Sequence, residues 1–337
     1  MKQIINQVSQ KLKEISNLDS HKLSLNSLYE AIPFNMRNFI EISKEIKEGI
    51  KIGFVDGGNS TISESSNYCL QFIRVYGCVF KDNKKINEAK SEFFTLTYLE
   101  NLSGKLFFKT VLYPLNSNSS NLPFEEDLYF NPEDETLKQG ISNGEVSQIG
   151  GIARRYGELV TANFLSKYLD EKDVLVLDGN LQPKYTNEEK YLLSLRTNSE
   201  DKKISIIGFS KTSNLYTDSG DNGLTYLSRI SPFKSWIYIN SAKPIKQSPH
   251  LFIAKLHPNS NPFKIESFDD DFEAINKIAP YCKDPIFPGY PYGLILADKY
   301  ARVSNSEKLY LRTFIKTNLK SYESSKNAHE ILDKISF

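Results

Sequence analysis

The sequence predicts a mixed α/β fold, a central sheet flanked by helices, with a helical arm at the N-terminus and further helices at the C-terminus. Three observations carry this reading. Two nearly continuous apolar runs, KDVLVLD at 172–178 and KISIIGF at 203–209, have the character of strands buried on both faces. Segments 68–80 and 91–99 are rich in aromatic and β-branched residues, and the Lys81-Asp82-Asn83-Lys84 stretch between them reads as a hairpin turn. Residues 144–169, between the hairpin and the buried runs, repeat with helical period. That order favours a first strand leading into antiparallel partners, with parallel strands following a helix.

Taken in order, Ile4, Ile5, Val8, Leu12, Ile15 and Leu18 recur at helical spacing, so residues 1–18 are expected to form an amphipathic helix. Residues 19–50 read as mostly helical, with a break at Pro33. At Lys51 the texture changes to a short strand over 51–56, closed by Gly57-Gly58-Asn59, a turn signal. Residues 105–113 add a strand. The polar stretch after it, starting with 116–121, is expected to be a surface insertion near 114–143. Two more strands are expected at 235–240 and 250–256, then helices at 270–281, 292–303 and 307–335. The expected organisation is a helical extension over 1–50, one composite domain over 51–304, and a C-terminal helical segment over 305–337. There is no internal repeat.

Composition narrows the function classes. The 337 residues include 21 Phe and 19 Tyr, enough large apolar side chains to exclude a disordered chain. No apolar run approaches the ~18 residues of a membrane span. Three cysteines, Cys69, Cys78 and Cys282, make no disulfide framework, and no CxxC or paired-His spacing suggests zinc. With no signal-peptide pattern at its start, the chain is expected to be cytoplasmic. The balance of 42 Lys+Arg against 41 Asp+Glu excludes a uniformly basic nucleic-acid coat, though not a local basic track.

The carboxylates then fall into a pattern. Phe54-Val55-Asp56-Gly57-Gly58 and Val176-Leu177-Asp178-Gly179-Asn180 each place an Asp at the carboxyl end of an apolar strand, followed by Gly. Ligands of α/β sheets bind at that edge. DG is also a common turn dipeptide; two instances, each after a buried-looking strand, leave the turn reading and the site reading both open. Glu158 lies on an apolar stripe with Ala162, Leu165 and Leu169. It is either paired with Arg154 or Arg155 one turn earlier, or a metal ligand aimed at the sheet. Asp298 shares a helix face with Leu294, Ala297 and Ala301; partnership with Arg302, or with Lys299, which points away from that face, and a role in the site all remain open. Lys211, in Phe209-Ser210-Lys211-Thr212-Ser213, follows another buried strand and belongs to the same edge, as a solvated loop lysine or as a cation beside the acids.

Several acids on one edge repel one another and call for cations. Oxygen donors without His or Cys select Mg²⁺ or Mn²⁺, and two such ions suit phosphodiester hydrolysis.

These motifs resemble the NurA nuclease family. VDGG at 55–58, RRYGE at 154–158, VLDGNL at 176–181, GFSKTS at 208–213 and GYPYGLILAD at 289–298 occur in that family's order and span about residues 51–304. The resemblance implies an RNase H-like core and Mn²⁺- or Mg²⁺-dependent hydrolysis of DNA, with two ions per site. It also implies 5′-to-3′ exonuclease and single-strand endonuclease action on single-stranded DNA and duplex ends. The family usually acts as a homodimer with the hexameric HerA ATPase in end resection. Residue by residue, Asp56, Glu158, Asp178 and Asp298 would hold metal. Lys211 would face the scissile phosphate. Apart from the resemblance, the charge pattern offers Lys211, Arg154 and Arg155 as a local basic track for DNA contacts, or contacts shared with a ring-shaped partner. Two departures stand out: DGG replaces the common DGS, and some relatives have His where Asp298 stands.

Two other readings stay open. VDGGNST resembles the phosphate-binding turn of actin-like ATPases and sugar kinases, though no adenosine site is evident among the 17 Gly. A non-catalytic DNA-binding assembly module would instead use the terminal helices, including Leu309, Ile315 and Leu319, as oligomer surfaces.

Overall fold

The computed structural model describes residues 1–15, 19–43, 48–115, 121–211 and 214–318. The expectations for 16–18, 44–47, 116–120, Thr212, Ser213 and everything from Leu319 onward lie outside the described residues. After helix α1 (Lys2–Ile15) come the short strands β1 (Leu23–Ser24), β2 (Tyr29–Ala31) and β3 (Phe39–Glu41). Four long strands follow: β4 (Lys51–Ser65), β5 (Tyr68–Lys81), β6 (Lys84–Leu102) and β7 (Lys105–Pro114). Then come α2 (Gln148–Leu165), β8 (Val174–Asp178), α3 (Glu188–Lys202), β9 (Ser205–Ser210), β10 (Tyr216–Thr217) and α4 (Gly223–Ile230). The chain closes with β11 (Trp236–Tyr238), β12 (Ala242–Pro244), β13 (His250–Lys255), β14 (Phe263–Ser267), α5 (Glu273–Ile278), α6 (Tyr292–Ala301) and α7 (Asn305–Asn318).

Ten strands form one mixed sheet in the order β3-β11-β13-β14-β9-β8-β4-β5-β6-β7. β4, β8 and β9 run parallel, whereas β5, β6 and β7 meander antiparallel from β4. The core strands therefore read β6-β5-β4-β8-β9, the strand arrangement of an RNase H-like fold. Helix α2 provides the crossover from the meander to β8.

Side-chain alternation divides the apolar residues between the two faces. Val55, Val75, Phe93, Leu175 and Leu177 pack with Tyr156, Leu159 and Leu165 of α2. Phe54, Val176, Ile207 and Phe209 pack on the opposite face with Ile275 of α5 and Leu294 and Ala297 of α6.

Three expectations need correction. The range 19–50 is read as mostly helical, but its described residues instead supply β1, β2, a 3₁₀ turn at Met36–Asn38 and β3. Each of these strands pairs with a distant partner, respectively β10, β12 and β11, so tertiary pairing overrides local propensity. Gly57-Gly58-Asn59 is no turn, because β4 runs through it to Ser65. That continuity also removes the phosphate-binding-turn reading of VDGGNST. Helix α3 had no counterpart in the sequence reading, since its sequence EEKYLLSLRTNSEDK carries no clean apolar stripe. Among the described residues no helix is long and apolar enough to cross a membrane. The three cysteines are buried and free.

Candidate active site

The pleat decides where the charged groups go. Asp56 continues the Ile52–Phe54 side of β4, Asp178 the Val174–Val176 side of β8, and Lys211 the Ile207–Phe209 side of β9. All three therefore emerge on the α6 face, where β8 and β9 end and β4, past the Ile52–Val55 stretch that pairs with β8, runs on toward Ser65. There the Lys211 ammonium lies 2.9 Å from Asp178 Oδ2, 3.9 Å from Asp56 Oδ2 and 4.0 Å from Asp298 Oδ1. Asp298 reaches this point from α6 and accepts from Arg302 Nη2 at 2.7 Å.

Glu158 arrives from the other face, on α2. Its carboxylate is buried and paired with Arg154, with Arg155 Nη1 at 3.7 Å. The salt-bridge account of Glu158 therefore describes its contacts, and the carboxylate also lies beside β4 at Gly57. Arg154 additionally donates to the Gly57 carbonyl at 3.2 Å. Arg155 donates to Glu188 Oε1 at 2.7 Å and to the Asn180 carbonyl at 2.5 Å.

Consecutive glycines let the two helices approach β4 at this point. A Cβ on Gly57 would lie 2.6 Å from Glu158 Oε1, and one on Gly58 would lie 2.4 Å from the Ala301 carbonyl oxygen of α6. The small residues serve close approach on both faces, which a turn reading cannot show.

Asp56 is strongly perturbed. Its Oδ1 accepts from the Gly57 N–H at 2.7 Å, while Oδ2 is buried with no hydrogen-bond partner. Burial first, then Asp178 and Glu158, push its pKa up to about 7 against the restraining charge of Lys211. Burial also raises Glu158, against the pull of Arg154 and Arg155. For Lys211, burial works against the charge, but the Asp178 hydrogen bond and the surrounding acids outweigh it and raise the pKa.

Sequence reasoning missed Tyr290. Its hydroxyl donates to Asp178 Oδ1 at 3.2 Å, and Lys211 Nζ stands 5.2 Å above its ring. It sits in GYPYG, two residues before α6, where no periodic signal marks it. Lys184 was missed too; it lines a cleft beside the acids and rests on the Tyr185 ring.

Lys211 lies between two clefts. One, of about 380 Å³, is mostly polar, with Arg154, Arg155, Asn180, Lys184 and Ser210 among its walls. The other, of about 550 Å³, is bordered by Asp298 and Arg302 but walled largely by Phe263, Ile286, Phe287 and Tyr290.

The donor chemistry fits a hard divalent cation: the acids offer only oxygen, and one buried oxygen of Asp56 has no partner. Among the described residues, however, no three His, Cys, Asp or Glu side chains stand together as a ready-made ion cage. Lys211 lies among Asp56, Asp178 and Asp298, while arginines engage Glu158 and Asp298.

Comparison with known proteins gives a consistent result. The profile of the NurA domain matches residues 50–303. The NurA nuclease from Sulfolobus solfataricus superposes with a TM-score of 0.50 at 13% identity, over 96% of this chain and 95% of that one. A NurA structure with manganese gives 0.51 at 9% identity, over 97% of this chain and 98% of its own. Another NurA structure gives 0.50 at 9% identity, over 96% and 97%. No curated protein matches the sequence significantly.

Proposed function

We propose a function from one premise: the chain belongs to the NurA family, and family and fold together make it a nuclease. The finer reading is a Mn²⁺- or Mg²⁺-dependent deoxyribonuclease with 5′-to-3′ exonuclease and single-strand endonuclease action in DNA end resection. The observation that carries it is the gathering of Asp56, Asp178 and Asp298 around Lys211, where the parallel pairing of β4, β8 and β9 ends. One of the matched NurA structures contains manganese, which supports the choice of metal.

Asp56 and Asp178 would hold the metal, one ion or two, with Glu158 and Asp298 as flanking ligands. When bound, the ions supply a water acidic enough to attack phosphorus near neutral pH and a Lewis acid for the leaving oxygen. The chain's own groups do the rest. Lys211, on a side chain 43% exposed, can turn from Asp178 toward the phosphate and offset its developing charge. Tyr290 holds Asp178 by its hydroxyl and keeps Lys211 over its ring. Arg154, Arg155 and Lys184 line the polar cleft, where a phosphodiester backbone is attracted. A second copy of the chain and a HerA-type hexameric ATPase are the proposed partners, on the strength of family membership.

The test is incubation of end-labelled single-stranded and duplex DNA with Mn²⁺, Mg²⁺ or EDTA. Wild type should degrade DNA only with metal, and Asp178→Asn should lower the rate by about 10³-fold or more with an unchanged melting curve. Full activity in Asp178→Asn would refute the site. Absence of cleavage together with metal-independent DNA binding would favour a non-catalytic assembly module.

A further inference from the structure

The nuclease reading uses the polar cleft and leaves its neighbour across Lys211 without a role. Ile286 and Phe287 at the mouth of that neighbour are 77% and 55% exposed. Single exposed apolar residues need no explanation. These two are consecutive, and they share one concave wall with Phe263, Tyr290 and Ile295. Water contact on such a surface is unfavourable until something apolar covers it.

The loop that presents them is held in shape. Asp284 Oδ1 accepts from the Ile286 and Phe287 N–H groups, both at 2.9 Å, and the Gly289 N–H donates to the Cys282 carbonyl at 2.9 Å. Gly289 has φ of +82° and lies so close to Ser260 that a Cβ would stand 2.4 Å from it. The ring of Phe287 is therefore offered to solvent by an ordered backbone, which lowers the ordering cost of binding.

Charge identifies what fits. Lys211 lines both clefts, so a strand whose phosphate rests at Lys211 extends into each. One cleft is polar, lined by Arg154, Arg155, Lys184 and Lys211 as well as by Glu158, Asp178 and Glu188, and suits the sugar-phosphate chain. The other offers aromatic and aliphatic surface, with the Asn259 and Asn261 amides at its rim. A flat, apolar-faced group with a hydrogen-bonding edge answers that combination, and a nucleobase is such a group.

We propose that the cleft between Ser260–Phe263 and Ile286–Tyr290 is a nucleobase subsite, in which the base beside the scissile phosphate leaves its neighbours and packs on Phe287 and Ile286. The proposal rests on the nuclease reading for its substrate. It explains how a strand is seated without sequence readout, and it makes an unstacked base a condition of productive binding.

The test compares wild type with the double variant Ile286→Ser/Phe287→Ser, using single-stranded oligonucleotides that carry 2-aminopurine at successive positions, in EDTA. At saturating wild-type protein, the emission of the analogue should change about twofold or more at one position. The double variant should abolish that change, weaken binding measured by anisotropy about tenfold, and melt at the wild-type temperature because both residues are exposed. Equal emission changes in the two proteins, or no binding by either, would overturn the subsite. Cleavage assays with Mn²⁺ separate the two readings. An emission change lost in the variant, without cleavage by wild type, keeps the subsite and rejects the nuclease. Cleavage with equal emission changes keeps the nuclease and rejects the subsite.

Discussion

The Asp56 carboxyl, buried with one oxygen lacking a hydrogen bond and a pKa near 7, ties stability to pH in a defined direction. Its folded pKa lies above the ordinary 3.8, so the native state binds that proton more tightly than the unfolded chain. Stability from this group is complete below about pH 4, falls as pH rises, and is fully lost above about pH 7. Thermal melts of the metal-free protein from pH 4 to 8 should show that decline. Asp56→Asn should flatten it, gaining on the order of 2 kcal/mol at pH 8. Divalent metal must displace the same proton, so Mn²⁺ should raise the melting temperature more at pH 8 than at pH 6. A pH-independent metal effect would contradict the role of Asp56. At this scale much of the site was legible, because alternation along 52–56, 174–178 and 207–211 puts Asp56, Asp178 and Lys211 on one face. Tyr290 was not legible, since its place beside Asp178 comes from packing on Phe209 and Phe263 rather than from any local pattern.

At the scale of elements, β4 and the helices on its two faces fix the site. The strand carries Asp56, and Gly57 and Gly58 admit α2 and α6. Gly58→Ala must push the Ala301 backbone away, because the obstructing atom is a carbonyl and cannot rotate aside. A loss of about 2–4 kcal/mol is expected, read by denaturant unfolding. Gly151→Ala is the contrast: that helical position has open space around it, and the change should stabilise by up to about 1 kcal/mol. Both outcomes in the same direction would show that the close approach is unimportant. The hairpin of β5 and β6 and the buried strands β8 and β9 were visible in composition alone. The glycine pair was misread because glycine marks both turns and close packing, and only the third dimension separates them.

For the whole molecule, the N-terminal fifty residues behave as two parts. Helix α1 leaves Ile4, Ile5, Val8 and Leu12 exposed, whereas β1, β2 and β3 are stitched to strands from the other end of the chain. Phe39 of β3 packs on the buried rings of Trp236 and Tyr238. Deleting residues 1–15 should leave the melting temperature unchanged. Deleting 1–50 should expose the Trp236 edge and give an aggregating product, as size-exclusion chromatography would show; a monodisperse, fully stable product would contradict this. The formal net charge of +1 predicts weak DNA binding by the isolated chain. If the proposed local track of phosphate contacts provides that binding, affinity for a single-stranded oligonucleotide should fall steeply between about 50 and 200 mM salt. A tight, salt-insensitive complex would be inconsistent with that source.

Gly57 and Gly58 are neighbours, so the strand meets α2 at one Cα and α6 at the next, about 3.8 Å away. That one peptide acts as a caliper across the sheet, with Glu158 on one jaw and, a turn before Ala301, Asp298 on the other. Loops around the site can vary in length without changing the gauge. A change at either glycine opens one jaw alone, so the carboxylates from opposite faces would lose their common setting even where each keeps its own partners.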